Sequence, residues 1–449
     1  MSTKAFLQFW WTDKTRDTFL SFVPKDDLAS LRLACHDFGV RAAPALFKET
    51  EITFRASVFT KPVRMAALGR IGHHVRTLRF IIPHGTETFL PPLLDPITGE
   101  ECSFIYEPYI QSTRDSASRL SVPTYGSWEM TDMLVKQYPP LFHAAANVPS
   151  FIRFFSAIPN LKHLKISTPN QEPNQRYRRS IVDYALISLR IAVERSRLTS
   201  LDTLSLLSVH PGAVLYLNPL MGFGATPASV KRWKQIRKLT IHMSTVKLGS
   251  PTDHLKLLHS YLGLFSTSVK TFKFRWQGPK GPCPLSLGTE TCLQAPSPTT
   301  ACPQTCHRGL RSLHFNRLRV MEVENTMLDA SQISSFITSH RRTLRDFNFE
   351  DTHLRNGTWD EALSPLTSIS GSESWKEKTE EVMDVPLMLS PVDFAQEQLN
   401  KVWDDHIRSR SSKPLHGALQ KAGAKGRELL FGTEEHMRKF LRTSVFSWR

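Results

Sequence analysis

The chain has 449 residues, of which 40% are hydrophobic and 22% are charged, fractions that are ordinary for a soluble globular protein. It contains no apolar run long enough to span a membrane and no N-terminal stretch with a small-residue cleavage site. Its six cysteines are too few for a disulfide scaffold in a chain of this length. The sequence therefore predicts an intracellular protein of the cytoplasm or nucleus that is not bound to a membrane.

The formal net charge of +16 is spread along the chain rather than gathered in one block. The densest basic runs are short and lie at Arg176–Arg179, Lys231–Lys234 and His340–Arg342. None of them is accompanied by the spacing of a zinc finger, an RRM or a homeodomain, which argues against specific nucleic-acid binding. A generally basic surface, or electrostatic steering toward an acidic partner, explains the charge as well.

Residues 19–38 predict two short helices joined by a proline turn. Pro24 ends the first helix, because proline disfavours helical geometry in the residue before it. Asp26 and Asp27 suit the start of the second helix, where a carboxylate can accept a hydrogen bond from a free backbone N–H and its charge complements the helix dipole. The apolar face predicted for this second helix consists of Leu28, Leu31, Cys35 and Phe38.

This stretch resembles the second half of an F-box. The matching positions are Phe22, Val23, Pro24, Asp27, Leu28, Leu31, Leu33, Cys35 and Phe38. Where F-boxes open with Leu-Pro-x-Glu, this chain has Phe9–Lys14 instead. The continuation to Phe59 looks like that of F-box-like proteins of filamentous fungi.

The resemblance implies a helical module over residues 1–60 that binds the Skp-family adaptor of a cullin–RING ubiquitin ligase. It assigns one group of residues either to the adaptor contact or to the local core, and the sequence leaves those two roles open. These residues are Phe22, Val23, Pro24, Leu28, Leu31 and Cys35.

Short strand-like segments of the form apolar-x-x-apolar-x-apolar recur through the middle of the chain. They lie at 74–81, 159–166, 201–206, 236–241, 269–274, 310–315 and 344–349. This is the strand pattern of a leucine-rich repeat, and the alternating end of each segment gives one inward face. Helical patterns between the segments cover 177–195, 254–265 and 330–340.

Strand-then-helix units predict an α/β fold, in which the helical F-box-like module precedes an irregular leucine-rich-repeat-like solenoid over residues 61–356. Units of this kind bury a shared core when they stack side by side. The spacing of thirty to forty residues is wider than that of regular leucine-rich repeats. An ordinary α/β domain whose strands share the pattern remains the alternative.

Two insertions interrupt the solenoid pattern. Residues 85–149 are rich in Pro, Ser, Thr and Tyr, and their aromatic side chains could contact a partner or anchor the segment to its own core. Residues 277–308 have a low-complexity, proline-rich composition that predicts disorder. That second insertion holds Cys283, Cys292, Cys302, Cys306 and His307. The spacing and the proline-rich flanks favour a simple loop over a zinc site, so no metal is predicted.

Residues 357–449 change in character to a polar linker with terminal helices. Apolar periodicity predicts helices at 394–407 and 434–440, separated by a basic linker. Such helices could cap the open end of a solenoid or form a separate partner segment, and the sequence does not decide between these roles.

No catalytic motif accompanies these elements, because a nucleophile elbow, a Walker loop and a His-Glu-x-x-His helix are all missing from the sequence. The sequence therefore predicts a non-enzymatic protein without a cofactor. The function that fits best is the substrate-recognition subunit of a Skp–cullin–F-box ubiquitin ligase, which binds an unknown target protein through the solenoid. The alternative is an adaptor-independent interaction scaffold or a nucleic-acid-associated repeat protein.

Overall fold

The computed structural model shows a mixed α/β protein with helices at its N-terminus and mostly parallel strands after them. The chain divides into two compact units, residues 1–278 and 279–449. Within the described ranges, we find no helix whose length and apolarity would let it traverse a bilayer. The structure describes residues 3–59, 61–102, 106, 108, 128–171, 180–220, 223–226, 228–245, 253–285 and 313–366.

Four short helices open the first unit. As predicted, Pro24 separates two of them, since its extended backbone (ψ 152°) cannot continue a helix. The prediction that one helix would carry Leu28 through Phe38 is wrong. Cys35 is extended, with φ −160° and ψ 169°, and it ends one helix and begins the next. The helices are α1 Thr3–Trp11, α2 Asp13–Phe22, α3 Lys25–Ala34 and α4 His36–Leu46.

A sheet of six parallel strands follows, and the strands neighbour one another in chain order. Each strand pairs in parallel with the next one, from the first to the last. A separate antiparallel hairpin of β3 Leu93–Leu94 and β4 Glu101–Cys102 lies between the second and third of them along the chain. The six strands are β1 Glu49–Thr53, β2 Thr77–Ile81, β5 His163–Ser167, β6 Thr203–Val209, β7 Lys238–Ser244 and β8 Thr271–Gln277.

One side of this sheet is a buried apolar layer. Alternate side chains of a strand point to opposite sides, so every second residue of each strand faces the core. The register aligns these residues across the strands into rows. The first row is Leu78, Leu164, Leu204, Leu239 and Phe272, all buried. The second row is Phe80, Ile166, Leu206, Ile241 and Phe274, also buried.

Further helices of the first unit lie between the strands along the chain. Helices α7 and α8 both pack against α9, whose Ser180 cap accepts the N–H of Val182 at 3.2 Å. Phe151 of α8 lies 4.7 Å from Phe59, measured between ring centroids. These helices are α5 Pro62–Ile71, α6 Trp128–Gln137, α7 Pro140–Ala146, α8 Val148–Ser156, α9 Ile181–Arg195, α10 Val214–Leu217, α11 Ser229–Trp233 and α12 Asp253–Gly263.

The segment 85–149, interpreted from the sequence as a loop insertion, contains helices α6 and α7 and the β3–β4 hairpin. The Gln137 side chain joins α6 to this hairpin, because its amide donates to the Leu94 carbonyl at 2.6 Å and accepts the Leu94 N–H at 3.0 Å. Tyr106 is buried, and its ring lies 4.7 Å from that of Tyr184. At Tyr106, the aromatic side chain anchors the segment to its own core.

Asp183 in the first turn of α9 makes the first unit sensitive to pH. Burial raises the pKa of this carboxyl group to about 7, against the opposing hydrogen bonds from the Ser180 backbone and the Tyr216 hydroxyl. An aspartate whose pKa is raised on folding stabilises the folded state at acidic pH, and that stability is lost as the pH rises through the folded pKa.

We therefore expect the free energy of unfolding to fall by up to about 4 kcal/mol between pH 4 and pH 8 on account of this group. Asp183→Asn should be more stable than the wild type at pH 8, and the difference should be less than half as large at pH 5, where the folded wild type holds the proton on Asp183. The difference in the free energy of unfolding is measured by urea unfolding, monitored by circular dichroism, at both pH values. A variant that is destabilised equally at both pH values would contradict this role of Asp183.

The described part of the second unit has two small groups of parallel strands and two α-helices. One pair of strands is β10 Val320–Glu324 with β12 Asp346–Asn348. In the other group, β11 Thr326–Asp329 lies between β9 Gly281–Pro282 and β13 His353–Asn356. The helices are α13 Ala330–His340, as the apolar pattern predicted, and α14 Trp359–Leu363.

The strand predicted at residues 310–315 is not found in its described part. Residues 313–315 are not in a strand, and the strand of this region is β10, whose Met321 and Val323 are buried. The physical reason lies in the backbone of Phe315, whose N–H donates to the buried His340 Nε2 at 2.9 Å rather than to a neighbouring strand.

The burial of His340 predicts that the second unit loses stability at acidic pH. Nε2 accepts the Phe315 N–H, so the neutral ring carries its proton on Nδ1, which lies 2.9 Å from the Phe336 carbonyl oxygen. Burial lowers the pKa of His340, with a further contribution from nearby His314. A histidine whose pKa is lowered on folding stabilises the folded state above its unfolded pKa, and that stability is lost as the pH falls through the folded pKa.

The measurement is hydrogen exchange at the Phe315 amide, after correction for the intrinsic pH dependence of exchange. We expect strong protection at pH 7.5 and a progressive loss of protection as the pH falls below the ordinary histidine pKa of about 6.5. His340→Gln should remove most of this pH dependence. Protection that stays constant from pH 7.5 to pH 5 in the wild type would contradict the assignment.

Several predictions fall on residues that the structure does not describe. Cys292, Cys302, Cys306 and His307, and the C-terminal helices at 394–407 and 434–440, lie outside the described residues. Cys283 of the same cysteine group is buried. It lines a small apolar cavity of the second unit together with Leu285 and Phe336. Among the described residues, no group of three or more His, Cys, Asp or Glu side chains could hold a metal ion.

Candidate functional site

The N-terminal helices have a hydrophobic core of their own. Val23, Leu31 and Phe38 are partly buried against this core, and the Phe38 ring lies 4.6 Å from the Trp10 ring at a steep angle. Side chains from α1, α2, α3 and α4 therefore meet in one cluster. Its buried members are Trp10, Leu20, Leu28, Ala42 and Leu46.

A network of polar contacts ties the first helix to the last. Trp10 Nε1 donates to Asp37 Oδ2 at 2.8 Å, and Arg41 Nε donates to the other oxygen of the same carboxylate at 2.8 Å. These bonds, that from Arg41 first, hold the pKa of Asp37 below its ordinary value. The network therefore holds α1 against α4.

Large apolar side chains are exposed on α2 and α3. Phe22 is 81% exposed and Leu33 is 86% exposed, while Phe19, one turn before Phe22, is 45% exposed. Phe19 and Phe22 are three residues apart and therefore lie on the same side of α2. Contiguous exposed apolar side chains are typical of protein interaction surfaces. We call Phe19, Phe22 and Leu33 the exposed apolar residues.

An open groove lies between these helices and the start of the sheet. Its charged rim includes Lys25, whose ammonium group donates to the Glu49 carbonyl at 3.2 Å. A groove with an apolar floor and a charged rim is suited to bind a helix or an extended segment of a partner. The apolar side chains of the floor are those of Leu20, Val23, Leu28, Pro44, Ala45 and Leu46.

The structure separates the six predicted site residues into two groups. Leu28 is buried in the helical core, and Val23 and Leu31 are partly buried against it. The others, Phe22, Pro24 and Cys35, are exposed. Leu28 and Leu31 therefore contribute mainly to the helical core, while Phe22, Pro24 and Cys35 are available for contact with a partner.

Leu33 is a candidate contact that the sequence reasoning missed. It matches the F-box pattern, but it lies off the apolar face of α3 that contains Leu28 and Leu31. An apolar residue outside the apolar face of an amphipathic helix is the sequence signal that could have identified it.

No protein-family model matches the chain, and no curated protein matches it significantly. The role of the N-terminal helices therefore rests on their geometry. The geometry gives a small helical bundle with its own core, exposed apolar side chains at the ends of two helices and a groove beside them. Such a surface can dock another protein.

Proposed function

We propose that this protein is the substrate-recognition subunit of a Skp–cullin–F-box ubiquitin ligase. The N-terminal helices dock to the Skp-family adaptor, and the remainder of the chain holds a target protein. The chain itself carries out no chemistry in this proposal. Ubiquitin transfer is promoted because the target is held close to the charged conjugating enzyme, which raises its effective concentration.

The observation that supports adaptor docking is the exposure of Phe22 and Leu33 on helices whose core is already complete. The helix end at Pro24 places Phe22 at the last position of α2, and α3 begins directly after the proline. Burial of side chains of this size against a partner is a main source of binding energy at protein interfaces. The pattern of the F-box resemblance falls on the same two helices.

The second part of the proposal is that the strands after these helices form an irregular leucine-rich-repeat-like solenoid. Six strands that pair in parallel and in chain order support this arrangement, as do the helices between them. The strands β6, β7 and β8 begin at Thr203, Lys238 and Thr271, which is the wide spacing of an irregular repeat. On the outward side of β7 and β8, the side chains of Lys238, Thr240, Lys273 and Arg275 are exposed or partly exposed and so accessible to a target.

A second candidate function is a nucleic-acid-associated repeat protein that needs no adaptor. It is favoured by one observation, the lysine and arginine side chains on the outward side of β5, β7 and β8. This alternative predicts binding to RNA or DNA whose affinity falls steeply with salt. It also predicts that binding survives removal of the N-terminal helices.

Co-purification with the Skp-family adaptor from the same cell type tests the proposal. The full chain is compared with a version that lacks residues 1–47, so that β1 remains to pair with β2. We expect the adaptor with the full chain and not with the shortened one. Recovery of no adaptor with the full chain, or equal recovery with both, would reject the docking role.

A further inference from the structure

The outward side of the strands β5, β6, β7 and β8 carries positive formal charge and no negative formal charge of its own. These four strands contain no Asp or Glu. Their charged side chains point away from the buried rows described above. Lys238 and Arg275 are exposed, and Lys165 and Lys273 are partly exposed. We call these four residues the basic sheet face.

The register places these cations at defined distances from one another. Lys165, Ser205, Thr240 and Lys273 form one row across the four strands. Neighbouring strands are about 4.8 Å apart, so the backbone positions of Lys165 and Lys273 are about 14 Å apart. Lys238 lies two residues before Thr240, and Arg275 lies two residues after Lys273. The cations therefore occupy three successive rows of the same side.

Two histidines on this side have a pKa that is lowered by burial and, in addition, by the neighbouring cations. Burial lowers the pKa of His163, and Lys165 and Lys238 lower it further, although Glu49 and Asp202 act in the opposite direction. Burial and then Arg275 lower the pKa of His242. The His163 ring is also held in place, since its Nε2 lies 2.8 Å from Ser205 Oγ.

We infer that the basic sheet face binds an extended, acidic segment of the target protein. This inference rests on the proposed function and adds the chemical class of the target. The partly exposed hydroxyl group of Thr240 lies between the cations and can bond to the peptide or to its carboxylates. An extended chain covers about 14 Å in four residues, so acidic residues at positions i and i+4 match Lys165 and Lys273.

The composition of the face favours an acidic peptide over a nucleic acid. Its outward positions on β5–β8 hold no Phe, Tyr or Trp on which bases could stack. On the side of β1, the face ends at Glu49 and Glu51, and Glu51 forms a 3.0 Å ion pair with Arg79. These carboxylates would repel a phosphate backbone that runs across the whole sheet. A short acidic segment can bind to β5–β8 without reaching the carboxylates of β1.

The test is a fluorescence-anisotropy titration of the full chain with a labelled peptide of three Glu-Ser-Ser-Ser units. The same peptide with Gln in place of Glu is the neutral probe. Lys165→Gln/Lys273→Gln is the test variant, and Arg275→Gln provides a second one. The matched control is Lys231→Gln/Lys234→Gln, which removes the same charge from exposed positions in and directly after α11. Circular dichroism confirms that each variant is folded.

We expect the Glu peptide to bind, the Gln peptide to bind at least tenfold more weakly, and the double test variant to lose about tenfold in affinity for the Glu peptide. Arg275→Gln should lose less, and the control should stay within about twofold of the wild type. Equal binding by the wild type and the test variants would overturn the inference. Tighter binding of a 20-nucleotide single-stranded RNA, lost in the test variants, would also overturn it.

Adaptor binding, measured on the same proteins, separates this inference from the proposed function. The test variants should bind the adaptor as the wild type does, because their substitutions lie on β5 and β8 and leave the N-terminal helices unchanged. If the peptide binds as predicted while the adaptor does not, the docking role fails and the acidic preference of the sheet stands. If the adaptor binds and the peptide does not, the docking role stands and the acidic preference of the sheet fails.

Discussion

Replacement of Phe22 and Leu33 together by aspartate is expected to lower the affinity of the full chain for the Skp-family adaptor at least a hundredfold. Both side chains are more than 80% exposed, at 81% and 86%, and neither belongs to the core of the helical bundle. Loss of two central apolar contacts costs about 2 kcal/mol or more each at a protein interface, and each 1.4 kcal/mol is tenfold in affinity. Biolayer interferometry with the purified adaptor measures the change.

The matched control is Val63→Asp/Ile97→Asp. Both residues are apolar and highly exposed, at 78% and 91%, but they lie in the same unit outside the N-terminal helices. We expect this control to bind the adaptor within about twofold of the wild type. Leu28→Asp is not a useful substitute, because it would place a charge in the core of the bundle and unfold it. Wild-type affinity of Phe22→Asp/Leu33→Asp would contradict the docking assignment.

Glu194→Ala is expected to destabilise the first unit by about 3–5 kcal/mol, the largest effect on stability that we predict from one residue. Glu194 and Arg190 form a 3.3 Å ion pair on α9 with side-chain exposures of 3% and 1%. Trp233 of α11 also donates its Nε1–H to Glu194 at 2.9 Å. Removal of the carboxylate leaves a buried guanidinium group without its counter-charge and a buried indole N–H without its acceptor.

The control for this prediction is Glu51→Ala, which breaks the ion pair with Arg79. Those two side chains are 51% and 48% exposed, so the loss should be below about 1 kcal/mol. Urea unfolding followed by tryptophan fluorescence measures both variants. Equal stability losses in Glu194→Ala and Glu51→Ala would show that burial does not make the Arg190–Glu194 pair more important for stability than the exposed pair.

The sequence predicted the strands of the sheet well where burial imposes a strict alternation. The segments around Leu164, Leu204, Leu239 and Phe272 each became a strand, because the inward side chains of every strand must be apolar. Helices α9, α12 and α13 were also predicted within a few residues at each end. The local pattern is sufficient for α13, whose buried residues Ile333, Phe336, Ile337 and His340 lie on one face.

Other features depend on contacts between distant residues and could not be predicted. The helix breaks at Cys35 without a proline or glycine beside it, and the two helices on either side of the break pack against each other. At Phe315, a hydrogen bond from the distant His340 replaces the predicted strand. The basic sheet face becomes visible only once the register aligns Lys165 with Lys273, which are more than a hundred positions apart in the sequence.

The candidate site remains a prediction whose residues the structure divides into two groups. The F-box resemblance points to α2 and α3, but it could not separate core residues from exposed ones, because both are apolar in the sequence. The structure makes Leu28 a core residue and Phe22 an exposed one. It also adds Leu33, which the sequence reasoning matched to the F-box pattern without assigning it a role.

The most direct test of the central claim is hydrogen–deuterium exchange of the full chain with and without the purified Skp-family adaptor. One measurement then reports both whether the adaptor binds and where it binds. We predict that residues 19–35 gain protection in the presence of the adaptor, while strands β6, β7 and β8 stay unchanged. No change in exchange at residues 19–35, or protection confined to the sheet, would contradict the claim that the N-terminal helices dock this protein into a ubiquitin ligase.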